Sequence, residues 1–159
     1  MRKKNVKYLG RMRKMKNLEL KAETIQISVY INIILNILQK HNELSLSKIL
    51  FFSYLIKKQN FVPEKIYTAK NTREIVYKAI SLVSGEYVDY CANIQIILKA
   101  IDLLIENKKV KYYNFILYGI EDSLNEKNIY QESAFIGKAI EESKKMSEKQ
   151  FMKEVISNV

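Results

Sequence analysis

The sequence predicts a mainly α-helical domain carrying one short β segment, and three observations lead there. Apolar residues recur at three- and four-residue spacing in several windows, capping residues stand ahead of those windows, and one stretch near 108–118 switches to aromatic and branched side chains. A chain of 159 residues with 48% hydrophobic content has the length of one domain and enough apolar mass for its core.

Glu23 to about Lys40 reads as the first helix, with Ile25, Val29, Ile33 and Ile37 in a wide stripe beside Tyr30, Ile34 and Leu38. Asn32 and Asn36 fall one turn apart on the opposite side, expected to face water, and His41-Asn42-Glu43 supplies turn chemistry. A second helix runs from Ser47, as N-cap, to about Lys58; it is apolar almost all round and is expected at the centre of the domain. Pro63 marks an extended connector from Gln59 to Ala69. Asn71 with Glu74 forms a start like a capping box for a third helix reaching about Val83, and Gly85 holds the left-handed position beyond it.

Glu86 to Ala92 is ambiguous, a short helical turn being one reading. Asn93 is then expected to cap a helix through Glu106 whose inner face is Ile94, Ile97, Leu98, Ile101, Leu104 and Ile105. Lys108 to Tyr118 is one extended segment or a small hairpin turning near Asn114. Gly119 to Asn128 is polar and reads as loop or, alternatively, a short helix. Ile129 to about Lys145 is helical, and Ser147 with Gln150 makes a second capping box for a closing helix, Glu148 to Ser157. Residues 1–21 stand apart as a basic leader to the domain 22–159.

The formal charge of +10 is concentrated in that leader. Arg2, Lys3, Lys4, Lys7, Arg11, Arg13, Lys14, Lys16 and Lys21 face Glu19 alone, a net +8, whereas the remaining residues carry +2. Two readings stand level: an arm that is solvated or ordered by a partner, and an arm that grips nucleic-acid phosphates. The apolar stretch Ile25–Leu38 is interrupted by Gln26, Ser28, Asn32 and Asn36. It falls short of the ~20 apolar residues of a membrane span, so no transmembrane span is expected, and Cys91, with no intrachain partner, makes a reduced, cytoplasmic setting the default.

Catalytic constellations are wanting in residue types. One His and one Cys cannot build a zinc site, and Gly10, Gly85, Gly119 and Gly137 form no phosphate-cradling loop. Cys91 is expected as a core thiol and His41 as an exposed residue near a helix end; Glu141-Glu142 diverge on a helix and make no acid/base pair. The expectation is a protein that is no enzyme and holds no cofactor or metal. Tyrosine is enriched, with 11 Tyr and no Trp. Tyr112, Tyr113, Phe115 and Tyr118 lie among Lys108, Lys109 and Lys111. Such a patch either packs in part on the core and meets a protein partner, or stacks on bases. Candidate contact residues are therefore Arg2, Lys3, Lys4, Lys7, Arg11, Arg13, Lys14 and Lys16 in the leader, with Lys109, Lys111, Tyr112 and Tyr113 on the β segment.

The helix order, with Leu44-Ser45-Leu46-Ser47-Lys48-Ile49-Leu50 leading into a helix and Ala100 to Lys111 running from helix into a wing strand, is winged-helix-like. The exposed set Gln95, Lys99 and Asp102 is poor for reading bases. The same segments, with Ala134-Phe135-Ile136-Gly137-Lys138-Ala139 and the closing helix from Phe151, resemble the small middle components of bacterial ABC-three-component conflict systems. The resemblance covers roughly residues 23–158. It implies a non-catalytic adaptor, joining an ABC-type (SMC- or RecN-like) ATPase to a further component of an antiviral defence complex. The alternative is a winged-helix-type nucleic-acid-binding protein that uses residues 1–21.

Overall fold

The computed structural model describes the backbone of residues 2–59, 72–120 and 130–159, and the side chains of residues 11–58, 74–120 and 130–159. The elements run α1 (Arg2–His41), β1 (Glu43–Ser45), α2 (Leu46–Gln59), α3 (Thr72–Ser81), α4 (Tyr87–Glu106), β2 (Val110–Tyr113), β3 (Ile116–Gly119), α5 (Ala134–Lys144) and α6 (Glu148–Asn158). The chain is thus mainly helical with a small antiparallel sheet of order β1-β3-β2.

Helix α1 begins 21 residues before the expected start at Glu23. Between Arg11 and Ala22 the chain is Arg, Met, Lys, Leu, Glu and Ala with a single Asn, all but the Asn strong helix formers, and nothing there breaks the run. The helix ends where Asn42 takes φ 63° and its N–H donates to the Leu38 carbonyl at 2.9 Å, as a left-handed C′ residue does. Tyr30, Ile33, Ile34, Ile37 and Leu38 are buried as expected. Asn36 corrects the pattern: it is buried, and its amide donates to the carbonyl of Tyr130 rather than to water.

Helix α2 is central, with Ile49, Phe51, Phe52, Tyr54, Leu55 and Ile56 buried. Phe51 meets Phe52, Phe151 and Tyr90 edge-on, with ring centroids 5.3, 5.7 and 6.2 Å away. Ser47 is no N-cap. The helix starts one residue earlier, its Leu46 N–H donates to the Phe115 carbonyl at 2.8 Å, and the Ser47 hydroxyl donates to Glu148 instead. Thr72–Ser81 fulfils the third helix, Gly85 holds φ 82°, and Asn71 and the Gln59–Ala69 connector lie outside the described residues but for the backbone of Gln59.

Helix α4 absorbs the ambiguous stretch and begins at Tyr87, so Asn93 sits inside it and caps nothing. Leu98, expected inward, is 37% exposed. The hairpin turns at Asn114 and Phe115, both with positive φ (50° and 62°), the signature of a type I′ turn. The register pairs Val110 with Gly119 and Tyr113 with Ile116. The sequence did not announce β1, three residues whose Leu44 pairs with Leu117; Leu44, Leu117 and Val110 bury one face of the sheet. Helix α5 starts at Ala134, capped by Ser133 Oγ accepting from the Ile136 N–H at 3.2 Å, later than Ile129. Ser147 caps α6 through the Gln150 N–H, as its box predicts. Most of the Gly119–Asn128 loop lies outside the described residues. Among the described residues no helix is long and apolar enough to cross a membrane.

Candidate docking surface

The basic leader is the first half of α1. Every residue from Arg11 to Ala22 is exposed. The body first takes hold at Glu23, whose carboxylate pairs with Lys99 of α4. Met12, Met15, Leu18 and Leu20 are 55–66% exposed, as is Ile25 just beyond. Met15, Leu18 and Ile25 lie toward one side of the helix, and Leu20 lies on another. Arg11, Arg13, Lys14 and Lys16 stand among them. Arg2, Lys3, Lys4 and Lys7 are on the same helix, and their side chains lie outside the described residues.

The second group of candidate residues sits on the hairpin. Lys111, Tyr112 and Tyr113 are exposed on β2, Tyr113 at 76%, and Phe115 at the turn is 69% exposed. Lys109 is half-buried. The hairpin is fixed to the far end of α1, where the Gly119 N–H donates to the Asn42 carbonyl at 3.0 Å. At ~1.5 Å per residue, Met15 and His41 are on the order of 40 Å apart along α1. The candidate residues therefore form two surfaces, an arm and a wing, and no single site.

Two polar clusters in the body escaped the sequence reading. In the first, Asn93 Oδ1 accepts from the Tyr30 hydroxyl at 2.7 Å and from Lys57 Nζ at 3.0 Å, while its amide donates to the Asp89 carbonyl at 2.8 Å. The Tyr54 hydroxyl lies 2.7 Å from Asp89 and 2.8 Å from Glu86, and Lys58 pairs with the same two carboxylates. Burial pushes the Tyr30 and Tyr54 hydroxyls well above the usual tyrosine range, so both serve as donors. The Lys58 ammonium holds Asp89 below the usual carboxylate range. These contacts tie α1, α2 and α4 to one another.

In the second, His41 is buried, not exposed as expected. Its Nε2 is 2.9 Å from Glu132 and its Nδ1 faces Glu141, so each ring nitrogen meets a carboxyl group. Burial pulls the His41 pKa down, but the bonds to Glu132 and Glu141 outweigh it and raise the pKa above its ordinary value. Lys144 reaches both the His41 carbonyl at 2.9 Å and Glu141 at 3.1 Å, closing a latch between α1 and α5. The two carboxylates lie at opposite nitrogens of the ring, so the three side chains do not converge on a point where an ion could sit. Among the described residues no group of His, Cys, Asp and Glu is arranged to hold a metal. Cys91, expected in the core, is half-buried.

A lone His and two carboxylates 91 and 100 positions away share no sequence signal, and Asn93 was misread because an Asn ahead of an apolar run looks like a cap. The chain matches no protein-family model, no curated protein and no solved structure.

Proposed function

We propose that the protein is a non-catalytic adaptor that engages a protein partner through the helical arm, residues 11–25 of α1. One observation carries the reading: residues 11–22 of a 40-residue helix are all exposed, with Met12, Met15 and Leu18 uncovered there and Ile25 just beyond. Leaving such side chains in water gains nothing for the fold, whereas covering them on a partner recovers ~25 cal/mol for each Å² of apolar surface removed from water. The resemblance read from the sequence makes an ABC-type ATPase, acting in antiviral defence in the cytoplasm, the first partner to try. The test is size-exclusion chromatography of the full chain with the products of its neighbouring genes, beside a variant with Leu18→Asp and Ile25→Asp. Co-elution that the variant loses supports the adaptor; a wild-type chain that elutes alone in every mixture refutes it.

The exposed Tyr113, Phe115 and Lys111 on the wing favour a second reading, a winged-helix-type protein that holds nucleic acid. Phosphates are not met by Met15, Leu18 or Ile25, and the arm and wing sit at opposite ends of α1, which is why this reading is second. It requires affinity for a DNA duplex that falls with salt at a slope of about −0.9 per phosphate neutralised and is lost when residues 1–21 are removed.

A further inference from the structure

The exposed face of the arm has a register that identifies the kind of partner it fits. Met15, Leu18, Ala22, Ile25 and Val29 follow one another at spacings of 3, 4, 3 and 4 residues, the a/d alternation of a coiled-coil seam. The first four are exposed, and Val29 is half-buried where the seam reaches the body. At ~100° of rotation per residue, this seam is centred about 70° round the helix from the face of Tyr30, Ile33 and Ile37 that enters the core. It adjoins the core stripe through Val29, and its exposed residues Met15, Leu18, Ala22 and Ile25 lie on the arm.

Charge decides what covers it. One turn before Met15 the seam position is Arg11, and Lys14 and Lys21 line one flank of the seam, with Glu19 on the other. A second copy of this chain in parallel would set Arg11 against Arg11 inside the seam and bring together two leaders of net +8 each. An antiparallel copy would set the lysine flanks against one another. A helix with carboxylates at those places satisfies Arg11, Lys14 and Lys21 together. A DNA duplex would leave the seam side chains in water. Resting on the adaptor reading above, we infer that the arm forms a two-stranded coiled coil with an acidic amphipathic helix of another protein.

The test uses the full chain and two fluorescent three-heptad peptides, both with Leu and Ile in the seam, one with Glu and the other with Lys on both flanks. Anisotropy titrations are run on the wild-type chain, on Leu18→Asp with Ile25→Asp, and on Arg11→Glu with Lys14→Glu. The Glu peptide is expected to bind the wild type at least tenfold more tightly than the Lys peptide. The seam variant loses both peptides, and the charge variant reverses the preference. Equal binding of the two peptides, or no binding of either, overturns the coiled-coil inference, as does sedimentation of the wild type as an arm-dependent dimer. Co-elution with a neighbouring gene product that survives in the seam variant also overturns it, yet leaves an adaptor acting through another surface; failure of the wild type to co-elute with any neighbour refutes the adaptor reading itself.

Discussion

The two halves of α1 share one continuous backbone and owe it to different forces. From Tyr30 to His41 the helix is held from outside: Ile33, Ile34, Ile37 and Leu38 are buried, Tyr30 is bonded to Asn93, and His41 is latched to Glu132 and Glu141. From Arg11 to Ala22 every residue is exposed, and the intrinsic helix preference of its Met, Leu, Lys, Arg and Ala residues favours the helix there. Helical stability in proteins comes mostly from packing an apolar face, so the exposed half of α1 should be the less stable of the two.

The comparison breaks most visibly on the body side. Phe51→Ala removes a ring fully enclosed by Phe52, Tyr90 and Phe151 and is expected to cost ~3–5 kcal/mol in urea denaturation. Leu18→Ala on the arm should change the same midpoint by less than ~0.5 kcal/mol, because that side chain is 66% exposed. Equal losses at the two positions would mean that the arm is part of the core.

Next in size is the latch. His41→Gln leaves one of two carboxylates without its donor, Glu132 being nearly buried, and should cost ~2–3 kcal/mol near pH 6. The sign of its pH dependence follows from the two shifts. His41 is raised above 6.5 in the folded protein, so its contribution is full below 6.5 and is lost as pH rises through the folded value. Glu141 is lowered below 4.5, despite burial that opposes this, because His41 and Lys144 bond to it; its contribution is present above 4.5 and is lost as pH falls through the folded value. Denaturation midpoints measured from pH 3 to pH 9 should therefore show a maximum between those limits in the wild type. The His41→Gln variant should lack the decline on the alkaline side.

Smaller effects sharpen the picture. Ser147→Ala removes the N-cap of α6 and should cost ~1 kcal/mol. Phe115→Gly should do the opposite and raise stability by ~0.5–1 kcal/mol, since Asn-Gly is the preferred pair for a type I′ turn and Phe115 holds φ 62° with its ring in solvent. Thermal melts of the two variants are expected to move in opposite directions.

What the sequence disclosed follows the range of the physics involved. Ser147 with Gln150, Gly85 and the turn at Asn114 act over four residues or fewer, and each was readable from its own neighbourhood. The apolar periods of α1 and α2 were readable for the same reason. Strand β1 was not, because three residues carry no period and Leu44 is placed by Leu117, which is 73 positions away in the chain. Asn36 and His41 were assigned to solvent because a polar residue next to a stripe looks exposed until Tyr130, Glu132 and Glu141 arrive from the other end of the chain. On the arm, the charge was plain in the composition. The seam crosses the boundary expected at Glu23 between leader and first helix, so it shows only in a helix that continues from Met15 and Leu18 into Ile25 and Val29.

Hydrogen exchange along α1 tests the central claim most directly, measured on the full chain alone and with the Glu-flanked peptide. Amides of residues 11–22 are expected to exchange orders of magnitude faster than those of residues 33–38 in the free protein and to slow sharply when the peptide is added. Exchange that is uniform along the helix in the free protein, or an arm whose amides do not respond to the peptide, would contradict the account.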